Sequence, residues 1–232
     1  ANTAADFKAL VPLLNTAVSF SAVSVNDTGS FDIDVDWRNA TGGLLNIQSN
    51  GTVSGDMNLG DAILYSMGTG VYTGDITAGG IFVLANTGFG DGRSTGTIAA
   101  NLQTDTSVLV TIAKGTTWDF SGKILNTSSA SGGHVINGGT MKFDDKSDLT
   151  EVAQGSIDNH AGVIETTAAN LGDDTAGLTR GLNAKSGTNV DVGTIVVTDN
   201  LGATDIDWAA TTTGTLDLRA DQTSTGDILA EK

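Results

Sequence analysis

Cysteine is missing altogether from these 232 residues, which excludes a disulfide framework and a thiolate metal site. Proline occurs once, at Pro12, so a collagen-like chain is excluded as well. Positive charge is scarce: 11 Lys and Arg stand against 27 Asp and Glu, for a net charge of -16. A chain with no basic stripe has nothing with which to release counterions from a phosphate backbone, so nucleic acid and anionic membrane surfaces are not expected partners. Membrane insertion is not expected either, because no apolar run approaches the roughly 20 residues that a helical span requires. Aromatic residues make up 5% of the chain, and there are two histidines, His134 and His160. Little is left from which to build a stacking platform for sugars or a general acid-base pair.

What is abundant points one way. Glycine supplies 31 residues, and the acidic residues are Asp except for Glu151, Glu165 and Glu231. Asp favours turns and caps where Glu favours helix interiors, so helix should be scarce. A hydrophobic fraction of 39% still provides a core, which disordered chains lack.

Two short phrases recur. The first is Gly-Thr-aliphatic, at Gly51-Thr52-Val53, Gly96-Thr97-Ile98, Gly139-Thr140-Met141, Gly193-Thr194-Ile195 and Gly214-Thr215-Leu216. The second is a hydroxyl residue followed by Gly-Asp-aliphatic, at Ser54 to Met57, Thr73 to Ile76 and Thr225 to Ile228. Each reads as a turn followed at once by a strand, since Gly takes unusual backbone angles and β-branched Thr starts an extended run. Equivalent glycines lie 19 to 22 residues apart, as in Gly51 to Gly70, Gly55 to Gly74, Gly74 to Gly96 and Gly193 to Gly214. That is the length of one coil of a parallel β-solenoid built from two or three short strands. The expected fold is therefore all-β, a parallel β-solenoid first and an antiparallel β-sandwich or jelly roll as the alternative.

Along the chain, residues 1–25 read as an arm with a short helix: Thr3 caps, and Phe7, Leu10, Val11 and Leu14 fall at helical spacing. Residues 26–143 form the β-repeat body, 144–190 a looser lobe or insertion, and 191–232 the C-terminal strands. Phe31 to Trp37 alternates apolar and acidic residues as one half-buried strand would, with Asp32, Asp34 and Asp36 on a single face.

Candidate chemistry is thin. No Gly-x-Ser-x-Gly elbow accompanies the histidines, and no phosphate loop or dinucleotide fingerprint is present. Calcium is the one ligand the acidic residues suggest, at Asp32, Asp34 and Asp36 and at Asp144, Asp145 and Asp148. The stretch Asp144 to Glu151 lacks the glycine and the final glutamate of an EF-hand loop. No catalytic residue and no other cofactor is expected. Asp clusters on a strand face also serve polysaccharide-binding or -cleaving β-helices, which keeps that class as a third alternative.

With its two phrases spread over residues 42–228, the chain resembles β-rich structural proteins of phage virions, of the head decoration and fibre type, and equally bacterial surface β-solenoids such as adhesin passengers and surface-layer proteins. The opening Ala1-Asn2-Thr3-Ala4-Ala5-Asp6 is similar to phage structural proteins after removal of an initiator Met, whereas a secreted relative would have lost a signal segment there. The resemblance implies a non-enzymatic protein that decorates or builds a capsid, in a virion, with an extracellular surface, filament or adhesin role as the alternative. Its implied partners are copies of itself, as a trimer or larger assembly, or a capsid or surface lattice protein. The arm would be the anchor, and removing residues 1–20 would leave the β body folded.

Overall fold

The computed structural model describes residues 3–14, 20–27, 29–60, 62–67, 71–74, 76–78, 81–84, 97–98, 102–104, 109–112, 114–115, 117–127, 134–173, 175–188, 190–219 and 223–230. They form a parallel β-solenoid. The strands fall on three faces, a seven-stranded face A, a nine-stranded face B and a five-stranded face C, with Ile206–Trp208 and Ile228–Ala230 paired in a small sheet of their own, and every named strand pairing is parallel. The antiparallel sandwich alternative is thereby set aside. Chain-local sequence explains the choice: up to Leu125–Asn126 the turns visit faces A, B and C in order, after which face A continues to Ile157–Asp158 and face B to Thr211–Leu218, and the strands hydrogen-bond to the same faces of neighbouring turns.

All five Gly-Thr-aliphatic phrases land on face B, in one register. Their third residues pair in an unbroken column that runs Phe31, Val53, Tyr72, Ile98, Trp118, Met141, Ile164, Ile195, Leu216. Val53, Trp118, Met141, Ile164 and Ile195 are buried, while Phe31 and Leu216 at the two ends are half-buried. A second column of paired residues on face A runs Val23, Leu45, Leu64, Phe82, Val110, Val135, Ile157, its members 18 to 28 residues apart, and Val23, Leu45, Leu64, Val135 and Ile157 are buried. Turns exceed the 19 to 22 residues read from the glycines wherever a longer connection is inserted between faces.

At Gly51 and Gly193 consecutive turns approach closely. Gly193 has φ +59, and a Cβ there would meet the carbonyl oxygens of Asn159 and Gly162 in the turn beneath. Ahead of it a short polar side chain closes the corner by accepting from the glycine amide: Ser49 Oγ from Gly51 at 3.1 Å, Asn137 Oδ1 from Gly139 at 3.1 Å and Asp191 Oδ1 from Gly193 at 2.9 Å. In the second phrase Gly55, at φ +102, lies against the Ile33 backbone of the preceding turn. Replacing Gly55 by Ala combines that φ with a backbone clash and should cost about 2 kcal/mol, read as a fall in the urea midpoint at unchanged m-value.

The stretch Phe31 to Trp37 keeps its alternation but is not one strand. Phe31–Asp32 belongs to face B and Val35–Asp36 to face C, with the corner at Ile33 and Asp34. Ile33, Val35 and Trp37 point inward throughout. A solenoid corner preserves the inside-outside alternation while turning the chain, so period 2 cannot distinguish it from a straight strand.

Helix α1 (Ala4–Leu14) starts where expected, with the Asp6 amide donating to Thr3 Oγ1 at 3.1 Å. It packs on its own domain. Phe7 is 0% exposed and Val11 is buried with it in the common core. Phe7 meets the edge of Trp37 at 6.2 Å between ring centroids, and Phe20 meets the same ring at 4.6 Å. The helix thus closes the first turn of the solenoid. Residues 144–190 continue the ladders through Ile157–Asp158 on face A and Val163–Thr166 on face B. They then leave for a 3-10 turn, Ala168–Asn170, and a short helix α2 (Gly177–Leu182), whose Thr179 hydroxyl accepts from the buried Trp208 indole at 3.0 Å.

Candidate functional site

The acidic residues singled out from the sequence fall into two places. Asp32 faces outward from face B and accepts from Ser54 Oγ at 2.8 Å, one turn on. Asp34 sits at the corner, where it accepts from the Asp56 amide at 3.0 Å. Asp36 lies on face C and is paired with Arg38 Nε at 2.7 Å, the interaction that holds its carboxyl below the ordinary range. The three carboxylates of this stretch therefore project from two faces and the corner between them, not from one strand face.

The second place is the loop after Phe143. Burial raises the Asp144 carboxyl, but hydrogen bonds from the Gly122 and Lys146 amides and the Ser147 hydroxyl outweigh this and leave it lowered. Asp148 Oδ1 accepts from the Thr150 hydroxyl at 2.7 Å and amide at 3.0 Å, in that order the causes of its lowered value. Asp145 is exposed beside them. Both placed carboxylates are spent on closing turns, as is Asp173, which accepts from the Thr175 hydroxyl and amide. Among the described residues no three His, Asp or Glu side chains converge on a point that would hold a metal ion.

His160 is exposed and its Nδ1 lies 2.7 Å from Asp158 Oδ1; the hydrogen bond, then the charge of Asp158, raises its pKa. No serine is among its hydrogen-bond partners in the described structure. His134 opens the face A strand His134–Asn137, opposite Leu109.

These shifts set a pH dependence. Asp27, Asp36, Asp144, Asp148 and Asp173 are all lowered from 3.8 in the fold, so the stability they add is complete above that value and is lost as pH falls through their folded pKa. His160 runs the other way: raised from 6.5, it adds stability below that value that is lost as pH climbs through its folded pKa. Urea midpoints measured from pH 2 to 9 should fall on the acid side below about 4, where five exposed carboxylates act together, and less on the alkaline side, where one exposed histidine pair does. A flat acid limb would contradict these hydrogen bonds.

Sequence reasoning missed a fully buried polar pair. Asn137 and Asn159, both 0% exposed, stack one above the other at the corner between faces A and B. Asn137 Nδ2 donates to Asn159 Oδ1 at 2.6 Å and to the Val163 carbonyl at 3.1 Å, and Asn159 Nδ2 donates onward to the Val192 carbonyl at 2.7 Å. The 22-residue separation and the placement of each Asn two or three residues before a glycine at a face B strand were the available signals. A smaller echo joins Thr127 Oγ1 and Ser156 Oγ at 2.7 Å, also buried. These ladders tie turn to turn.

Two shallow grooves flank the 3-10 turn. One, of about 460 Å³, is lined by Ala168, Ala169, Gly172, Asp173, Thr204 and Asp205; the other, of about 310 Å³, by Ser147, Asp148, Thr150, Asn170 and Gly177. Their walls are small residues and turn carboxylates, without a described aromatic or basic side chain among them. Compared with protein-family models, with curated proteins and with solved structures, the chain finds no match.

Proposed function

We propose that the chain is a structural, non-catalytic protein that forms part of the outer surface of a larger assembly, a phage virion in the first instance. The observation that carries this reading is the continuous face B column from Phe31 to Leu216, covered at its first turn by α1. Its interior ladders spend their buried polar side chains on joining turns, and its titratable side chains serve corners and turn closures. Such a body carries a strong excess of negative charge, which suits a shell exterior that does not adhere to packaged nucleic acid.

A role on the bacterial cell surface is the second reading, favoured by the parallel solenoid itself. Gradient-purified particles and cell-envelope fractions from the producing culture, probed with an antibody to this chain, separate the two. Co-sedimentation with particles is the expected result. Enrichment in the envelope alone would favour the second reading, and recovery only as a free protein would contradict both.

A further inference from the structure

The sequence holds two Asn-Gly dipeptides, Asn50-Gly51 and Asn137-Gly138. A glycine after asparagine has no side chain to hinder its own amide nitrogen, so that nitrogen reaches the asparagine side-chain carbonyl more easily than in any other pair. At the first site the packing of turns demands the glycine. A Cβ on Gly51 would lie 2.5 Å from the Ser30 nitrogen and 2.7 Å from the Gly29 carbonyl oxygen in the preceding turn. The other four Gly-Thr-aliphatic phrases carry Thr95, Gly138, Val192 and Thr213 where this one carries Asn50.

The fold treats the two dipeptides differently. Asn50 is exposed, in the bend between Leu44–Gln48 on face A and Thr52–Ser54 on face B, and the Gly51 amide donates to the Ser49 hydroxyl at 3.1 Å. Asn137 is 0% exposed. Its Nδ2 donates to Asn159 Oδ1 at 2.6 Å and to the Val163 carbonyl at 3.1 Å, and its Oδ1 accepts from the Gly139 amide at 3.1 Å. The Gly138 amide, the group that would have to attack, donates to the Ile112 carbonyl in the preceding turn at 2.7 Å. Reaction at Asn137 therefore requires the corner to open first, and reaction at Asn50 does not.

We propose that Asn50 is a site of self-modification in the folded protein, converted to aspartate and isoaspartate with water as the only co-reactant, and that Asn137 is shielded from the same reaction. The Gly51 nitrogen attacks the Asn50 side-chain carbonyl carbon and forms a cyclic imide, while its proton leaves with the side-chain nitrogen as ammonia. Water then opens the ring. Addition at the side-chain carbonyl gives aspartate, and addition at the main-chain carbonyl gives isoaspartate. Either product adds a negative charge to the corner. Isoaspartate also lengthens the main chain by one carbon, at a place where the preceding turn leaves no room for even a Cβ.

The test is to hold the folded protein at mildly alkaline pH in heavy-oxygen water, then digest it at acid pH and map the peptides by mass spectrometry. The isotope marks conversion that preceded digestion. The peptide containing Asn50 should gain the labelled mass and split into two isomeric products, on the order of ten-fold or more faster than the peptide containing Asn137. Unfolding in urea should bring the two rates together, because both dipeptides are then alike. Asn50→Gln, whose longer side chain disfavours ring closure, should remove the signal from the first peptide and leave the second unchanged. No conversion at Asn50 while the protein is folded, equal rates at both sites in the folded protein, or a difference that persists in urea would each overturn the inference.

Discussion

Replacing Phe7 by Ala should lower the stability of the whole domain by about 3 kcal/mol, the cost of deleting a fully buried aromatic ring. The ring meets Trp37 edge-on at 6.2 Å and lies in the same cluster as Val11, Val25 and Leu45, so its removal opens a void against the first turn. Solenoids unfold from exposed ends, because each turn contacts only its neighbours. The loss should therefore show first as faster hydrogen exchange in Val23–Asn26 and Leu44–Gln48, before the face B strands near Ile195 respond. Chemical denaturation followed by tryptophan fluorescence reports the equilibrium loss, since Trp37 is the ring uncovered. Were α1 only an arm for docking, Phe7→Ala would leave the urea midpoint unchanged. Removing residues 1–20 should act in the same direction and more severely.

A comparable loss, again about 3 kcal/mol, is expected for Asn159→Ala, which deletes a buried side chain holding two hydrogen bonds and strands their partners. Asn137 would lose its 2.6 Å acceptor, and the Val192 carbonyl its 2.7 Å donor. Asn159→Asp separates geometry from charge. The carboxylate still accepts from Asn137 but cannot donate to Val192, and burial raises its pKa above the unfolded value. Its proton then favours the fold, so the deficit of Asn159→Asp should shrink as pH falls toward 4 and grow above it. Asn159→Ala should show no such trend relative to the parent. Equal pH profiles for the two variants would contradict a buried ladder.

The repeated phrases carried much of this architecture in plain view. Gly51 and Gly139 precede strands of face B and Gly193 and Gly214 lie within them, and the aliphatic residue two places later joins one paired column, so the spacing pointed to the coil. Asp32, Asp34 and Asp36 show where such reasoning stops. Alternation records which side of the backbone is inside, and a corner leaves that unchanged, so the bend at Ile33 and Asp34 has no signature in period. Asn137 and Asn159 looked like turn residues, which they also are; that their amides meet depends on turns stacking in register across 22 residues. For α1, helical spacing gave the helix, but its target, Trp37, lies far along the chain and only the packing reveals it.

Copy number in purified particles is the most direct measurement of the structural role. Quantitative mass spectrometry of gradient-purified virions, scaled to the major shell protein, should return this chain in a fixed ratio corresponding to many copies per particle. A trace, variable amount in particles, together with a free pool elsewhere, would contradict a protein whose work is to build a surface.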